Sequence, residues 1–381
     1  MFMLSIKLLD ICKKTSIISF YSFGISIFLG INLYFTMIGI VLSLPYCVCS
    51  SIQKCLYVNK MFLFLFSFLI AGSFLNVFIT RNGFGGVLVI IGVLCLSNFL
   101  VENMSLMYKH IRFLLLFFIA FCFFKILILG IDPNNFYEDM SRNYLGLILI
   151  LLNVLLLFSG FVTNNNVPVF ITLSSLVLSV FLVGRSTIGA MACLSILHLK
   201  YVLKDKNLWY IFSLLILFLG CLVYYWSDLI VLYQTSSFGG YGLDTPRYEI
   251  WDKFLRSTNF FTHVLGIDVF TIPIVAEYNG NLHNEFLNLL ARTGIGFWAF
   301  VCVFIYSTYK YYKRRQFYII ALLLIVSFRA FFDTGIFINN LGFTIYTIIL
   351  YPFFINYKSH ESSSVNVHNE TGKYCRFKIT R

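Results

Sequence analysis

Apolar runs of membrane-spanning length, separated by short polar breaks, make up most of the chain. A transmembrane helix needs about 20 apolar residues. These runs do not alternate in the way the strands of a membrane barrel would. From Thr15 to Gln53 no residue is charged. That stretch is too long for one helix and long enough for a tight hairpin of two, with Gly30-Ile31-Asn32 as the turn. Further spans are expected at Met61–Thr80, Phe84–Val101, Phe113–Ile131, Tyr144–Val162, Val169–Val183 and Thr187–Leu203, then at Leu208–Trp226, Gly294–Tyr309, Phe317–Phe331 and Leu341–Ile355. The pattern therefore predicts an all-α, polytopic integral membrane protein of about twelve transmembrane helices.

One long hydrophilic stretch breaks the pattern. Four regions follow: residues 1–226 with nine spans, a large loop at 227–292 carrying short amphipathic helices, residues 293–355 with three spans, and a basic tail at 356–381. Lys7, Lys13 and Lys14 precede the first apolar run, which is expected to act as an uncleaved start-transfer helix.

Charge fixes the orientation. Only 12% of the residues are charged, against about 25% in a soluble domain. The net charge of +12 reports topology rather than nucleic-acid binding, because lysine and arginine collect on the cytoplasmic side of a membrane protein. With the N-terminus inside, nineteen of the 28 basic residues lie inside and seven outside. Reading the first hairpin as one helix would turn its lysines outward. Both termini are thus expected in the cytoplasm and the large loop outside. None of the ten cysteines falls in that loop, so it holds no internal disulfide. Cys47-Val48-Cys49 has no partner pair at zinc spacing and reads as apolar filler.

The seven outer basic residues are Arg81, Arg142, Arg185, Arg247, Lys253, Arg256 and Arg292. The positive-inside rule disfavours them, and all but one are arginines. A guanidinium is the better fork for phosphate and carboxylate oxygens, so these residues suggest an anionic ligand at the outer face. Arg185 sits in a short turn between two spans, either as a snorkelling anchor or as a phosphate ligand. Arg247 follows Pro246, a permitted helix opener. It begins an amphipathic segment in which Ile250, Trp251 and Phe254 share one side, a short helix suited to a membrane surface. Its bland reading is an interface helix with Arg247 in water.

His283 lies just before the tenth span. Imidazole near its ordinary pKa can act as a general base toward a sugar hydroxyl, although a lone histidine is more often a surface or core residue. Glu285, Glu249 and Asp252 are fallback bases or groups that orient it. Arg329 and Asp333, four residues apart near the outer end of the eleventh span, form either an ion pair or a second phosphate clamp. Lys125 lies inside the fifth span, where a lysine is costly and functional by default, unless it snorkels outward. There is no Asp-x-Asp, HExxH or phosphate-binding glycine loop, so no metal or cofactor is expected. Gly239-Gly240-Tyr241-Gly242 reads as a flexible loop. No inverted pair of broken spans marks a transporter site.

Three motifs together carry a resemblance: Gly184-Arg185-Ser186 between two spans, Pro246-Arg247-Tyr248-Glu249-Ile250-Trp251 in the large loop, and His283-Asn284-Glu285-Phe286-Leu287 followed by Gly294-Ile295-Gly296. In order, spacing and outer placement they resemble the O-antigen polymerases (Wzy-type) and O-antigen ligases of bacteria, most strongly over Val169–Phe300. The resemblance implies a GT-C-like fold in the inner membrane, with the large loop in the periplasm. It implies a metal-independent, inverting glycosyltransferase acting on an undecaprenyl-pyrophosphate-linked oligosaccharide. Arg185 and Arg247 would hold the pyrophosphate, with Arg142 and Arg329 beside them, and His283 would deprotonate the acceptor, with Glu285 as its companion. Phe297 departs from the ligase pattern, the loop is short for a ligase, and Ser141-Arg142-Asn143 looks like the polymerases. Polymerase is therefore expected ahead of ligase, and a lipid-linked glycan transporter is the third reading. The expected partners are the lipid-linked glycan, membrane lipid and a chain-length regulator, with no nucleic acid.

Overall fold

The computed structural model describes residues 2–30, 32–53, 60–80, 84–137, 142–182, 184–203 and 246–364. The expected span Leu208–Trp226, the segment Gly239–Gly242 and the tail beyond Ser364 lie outside the described residues. Among the described residues every regular element is helical. We number the α-helices α1 (Phe2–Phe28), α2 (Leu33–Gln53), α3 (Lys60–Ile79), α4 (Gly85–Glu102), α5 (Met104–Phe123), α6 (Arg142–Thr163), α7 (Val169–Phe181), α8 (Arg185–Leu203), α9 (Arg247–Ser257), α10 (Phe260–Leu265), α11 (Pro273–Glu277), α12 (Glu285–Thr293), α13 (Ile295–Lys313), α14 (Phe317–Phe332) and α15 (Phe343–Ser364).

Six helices are long and apolar enough to cross a membrane: α2, α3, α4, α5 with the turn that follows it, α6 and α8. α7, α14 and the first half of α15 are apolar but shorter. The 13 residues of α7 reach only about 20 Å at 1.5 Å per residue. α15 continues to Ser364, nine residues past the predicted end of the last span.

Apolar side chains cover the bundle as well as fill its core. Large apolar side chains face outward, among them Phe78, Phe113, Leu127, Ile128, Ile305 and Leu324. Small polar ones face inward: Ser16, Ser19, Ser22 and Ser26 of α1 fall at intervals of three and four and are all buried. A soluble protein rarely exposes so much apolar surface. Here the surrounding solvent is apolar, and small residues let helix backbones approach closely. α6 is the central helix, with 89% of its apolar window buried against 33% for α3 or α8.

The first hairpin forms as its charge-free run predicts. Gly30 takes a positive φ of 75°, and the Asn32 side chain accepts from the amides of Tyr34 and Phe35 to start α2. Asn340 ties this turn to the far end of the chain, donating to Ser26 Oγ at 3.0 Å and Thr36 Oγ1 at 2.8 Å.

α3 receives the α12–α13 junction. Asn76 Nδ2 donates to the carbonyls of Leu265 and Ala291, both at 3.0 Å, and Gly72 lies against the Thr293 carbonyl. A Cβ at Gly72 would overlap that backbone oxygen, which cannot rotate away. Gly72→Ala is therefore expected to lower stability by about 1–3 kcal/mol, the usual cost of overpacking, measured as a lowered melting temperature in detergent.

Lys125 sits in a π-helical turn, Phe124–Ile128, that extends α5. Its ammonium lies 5.0 Å from the ring centres of Phe121 and Phe136 and 5.7 Å from that of Tyr137. Three rings solvate the charge, two of them from the loop that follows the span, so the lysine reaches toward that loop as the snorkel reading has it.

Candidate active site

Helix polarity brings the α6 and α8 starts, the α14 end and the segment before α12 to one end of the bundle. Three local structures build the site there.

The first is α9. Its Ile250 and Phe254 are fully buried in a small core with Val269, Ile272, Val275, Leu282, Leu290 and Ala291. Trp251, between them, donates its indole N–H to the Leu282 carbonyl at 2.8 Å and packs its ring 5.2 Å from that of Phe331. These contacts carry Arg247, in the first turn, toward the segment that precedes α12. Arg256 pairs with Asp252 at 2.9 Å, but both are exposed, and such pairs add little. Asp252 thus faces solvent. The second fallback base, Glu249, is exposed as well.

The second is the turn before α12. His283 adopts φ 49°, an uncommon conformation for a residue with a Cβ. Its amide donates to Asn281 Oδ1 at 2.8 Å, and the same oxygen accepts from Thr334 Oγ1 at 3.1 Å. Asn284 then caps α12, accepting from the amides of Phe286 and Leu287. The His283 ring is half-buried and edge-on to Tyr278, with centroids 6.1 Å apart. Burial lowers its pKa first, the Arg247 charge lowers it further, and Asp333 opposes both. The imidazole is thus biased toward its neutral form.

The third is the buried pair Arg329–Asp333, at 2.7 Å. Of the two readings of Arg329, the ion pair is the arrangement present. The guanidinium, 2% exposed, also donates to Ser186 Oγ at 2.7 Å and to the Asn143 carbonyl at 3.2 Å. It joins the end of α14 to the first turns of α8 and α6. Each of those turns begins with a predicted arginine, Arg185 or Arg142, whose described part is the backbone. The positive ends of two helix dipoles add positive potential at that point.

Arg247, His283, Arg329 and Asp333 form one electrostatic cluster: the Arg247 charge acts on both His283 and Arg329. Arg247 itself makes no ion pair among the described residues. Among the described residues its fork is open, whereas that of Arg329 is engaged.

Glu285 occupies a different position. It is fully buried, and its carboxylate accepts from the amides of Gly335 at 2.8 Å, Phe337 at 2.7 Å and Ile338 at 3.2 Å, and from Asn288 Nδ2 at 3.2 Å. Burial raises its pKa and the four donors oppose that rise. Such a group holds the α14–α15 connection in shape and is not within reach of the His283 ring by any hydrogen bond described. Sequence reasoning quoted Ser186 and Asn143 within motifs without giving them a role, and passed over Asn281 and Thr334. Their one sequence signal is proximity to the motifs and to the turn triplet Asp333-Thr334-Gly335.

What the site offers chemically is an open guanidinium, a neutral-leaning imidazole and two helix starts at one end of an outwardly apolar bundle. No family model matches the chain, and neither a curated protein nor a solved structure matches it significantly.

Proposed function

We propose that the protein is a glycosyltransferase of the bacterial inner membrane. It would join undecaprenyl-pyrophosphate-linked oligosaccharide repeat units at the periplasmic face, as an O-antigen polymerase does. In this reading the chain crosses the membrane about twelve times, with both termini in the cytoplasm and the His283 end outside. The observation that carries the proposal is the cluster itself: an unpaired Arg247 close enough to act on a half-buried, neutral-leaning His283, beside the helix starts that bear Arg142 and Arg185.

The acceptor hydroxyl gives its proton to His283 as its oxygen bonds to the anomeric carbon of the donor sugar. The bond from that carbon to the pyrophosphate oxygen breaks on the opposite face, and the electron pair leaves with the diphosphate. Attack opposite the leaving group inverts the configuration. Arg247 and the helix starts stabilise the growing negative charge by preorganised electrostatics. Arg329 positions those helix starts through Ser186 and Asn143. Glu285 shapes the floor beneath, a change from base to positioning residue that its four donors support.

Two outcomes test this. In a strain lacking the chromosomal copy, Arg247→Ala is expected to reduce polymerisation about 10²–10³-fold, the range for losing one charge-stabilising donor. The gel would then show single-repeat glycan in place of the ladder. A full ladder from Arg247→Ala removes Arg247 from the reaction, and accumulation of finished polymer on the carrier lipid would instead mean a ligase.

The second outcome concerns pH. A base must be neutral, so activity falls as pH drops through the His283 pKa, which lies below the ordinary value of about 6.5. Arg247→Ala removes one lowering influence and should move that acid limb upward in a pH–rate profile, while Asp333→Asn should move it downward. The same lowering means that the unfolded chain takes up the proton first. This group therefore costs stability as pH falls below about 6.5 and is neutral above it.

A further inference from the structure

A half-open cavity with a mainly apolar lining and a few polar groups lies at the same end of the bundle, between α3, α4 and the end of α12. It encloses about 310 Å³ and is lined by Ser73, Asn76, Gly85, Gly86 and Arg292, with an apolar wall of Val77, Val87, Ile90 and Ile338. None of its lining residues touches the Arg247–His283 cluster by a hydrogen bond or ion pair among the described residues.

Four features give it the character of an anion site. α4 begins at this cavity, and among the described residues no side chain caps its first turn; its leading amides carry the positive end of an 18-residue helix. Gly85 and Gly86 have open space where a Cβ would stand, which lets a ligand approach those amides. Ser73 is 5% exposed and its hydroxyl has no hydrogen-bond partner, a cost of about 1–3 kcal/mol in a site without a ligand. Arg292 is exposed, makes no ion pair among the described residues, and is held at the rim because Asn76 pins the neighbouring Ala291 carbonyl. No carboxylate lines the cavity.

The surroundings indicate which anion. Phe74, Phe78 and Phe84 are exposed beside the cavity, with centroids 5.0 to 6.5 Å apart. These phenyl rings carry no polar group and face lipid. The 18 residues of α4 span about 27 Å at 1.5 Å per residue, close to the thickness of the hydrocarbon core, so the helix start beside them lies at the depth of lipid phosphates. A helix start with a guanidinium and a hydroxyl matches the oxygens of a phosphate. We propose that this cavity is a phosphate-binding site, separate from the His283 cluster, that takes either the phosphate of a membrane lipid or free phosphate.

The test uses the full-length protein in detergent and two probes titrated separately, dihexanoyl phosphatidylglycerol and inorganic phosphate. Saturable binding of at least one probe is expected. Both probes are titrated in an Arg247→Ala background, which removes the guanidinium of the transferase reading. There Arg292→Ala should weaken binding about tenfold and Ser73→Ala about threefold, and Arg292→Lys should restore part of the loss. Arg292 is exposed, so its loss leaves the packing intact. Binding of the lipid alone identifies a headgroup, and binding of phosphate alone identifies the free ion. No saturable binding of either probe in the Arg247→Ala background, or an affinity there that neither Arg292→Ala nor Ser73→Ala changes, would each overturn the proposal. Because this readout needs no turnover, it stands apart from the fate of the transferase reading.

Discussion

Replacing Glu285 with alanine is expected to cost the fold more than Gly72→Ala or any substitution in the His283 cluster. The carboxylate is fully buried and satisfies three backbone amides and one side-chain amide. Alanine leaves those donors without acceptors and opens a void. Each buried donor without a partner costs about 1–3 kcal/mol, so the summed loss reaches a large part of the roughly 5–15 kcal/mol that holds a typical domain together. Glu285→Ala should therefore be recovered at low yield, or melt far below the parent in detergent. Glu285→Gln keeps one accepting oxygen but turns an amide N–H₂ toward backbone donors, and should fall between. A Glu285→Ala protein that melts with the parent would show that the α14–α15 connection does not depend on this clasp.

Replacing His283 should have the opposite profile, with little effect on folding and a large effect on turnover. Its ring is half-buried and touches Tyr278 edge-on, and its backbone φ of 49° costs the fold something. Asparagine, which tolerates that conformation better than most residues, keeps the turn while removing the base. General-base catalysis contributes about 10²–10⁴-fold, so His283→Asn is expected to lose activity in that range in a purified assay with lipid-linked repeat units. The melting temperature should be unchanged or slightly raised. Chains of normal length at a normal rate from His283→Asn would remove the imidazole from the reaction. The two substitutions separate cleanly, since one is read by heat and the other by rate.

Much of this arrangement is legible in the chain, and the limits have physical causes. The hairpin at Gly30 follows from a charge-free run too long for one helix. α9 follows from Pro246 and from Ile250 and Phe254 one turn apart. The Arg329–Asp333 pair follows from an i,i+4 spacing, since residues four apart are neighbours on a helix. The role of Glu285 does not follow in the same way. Its partners are backbone amides about 50 residues further along, and a backbone amide has no side-chain identity to read. Nor does a sequence announce that Arg329 reaches Asn143 and Ser186, because those contacts depend on which helices pack together. Lys125 is a middle case: the cost of its charge is plain, whereas the three rings that relieve it come together only through a π-helical turn.

Under the transferase reading, the clasp at Glu285 also bears on how a bulky lipid-linked glycan would gain entry. A lid needs a seam that parts easily, and the connection strapped to the first turn of α12 is a poor one. α9 is the looser neighbour. Among the described residues its side chains send only the Trp251 indole in hydrogen bonding to another element, and the rest of its attachment is apolar contact that can slide. Any gate over the imidazole would hinge there, with Arg247 travelling on the moving leaf.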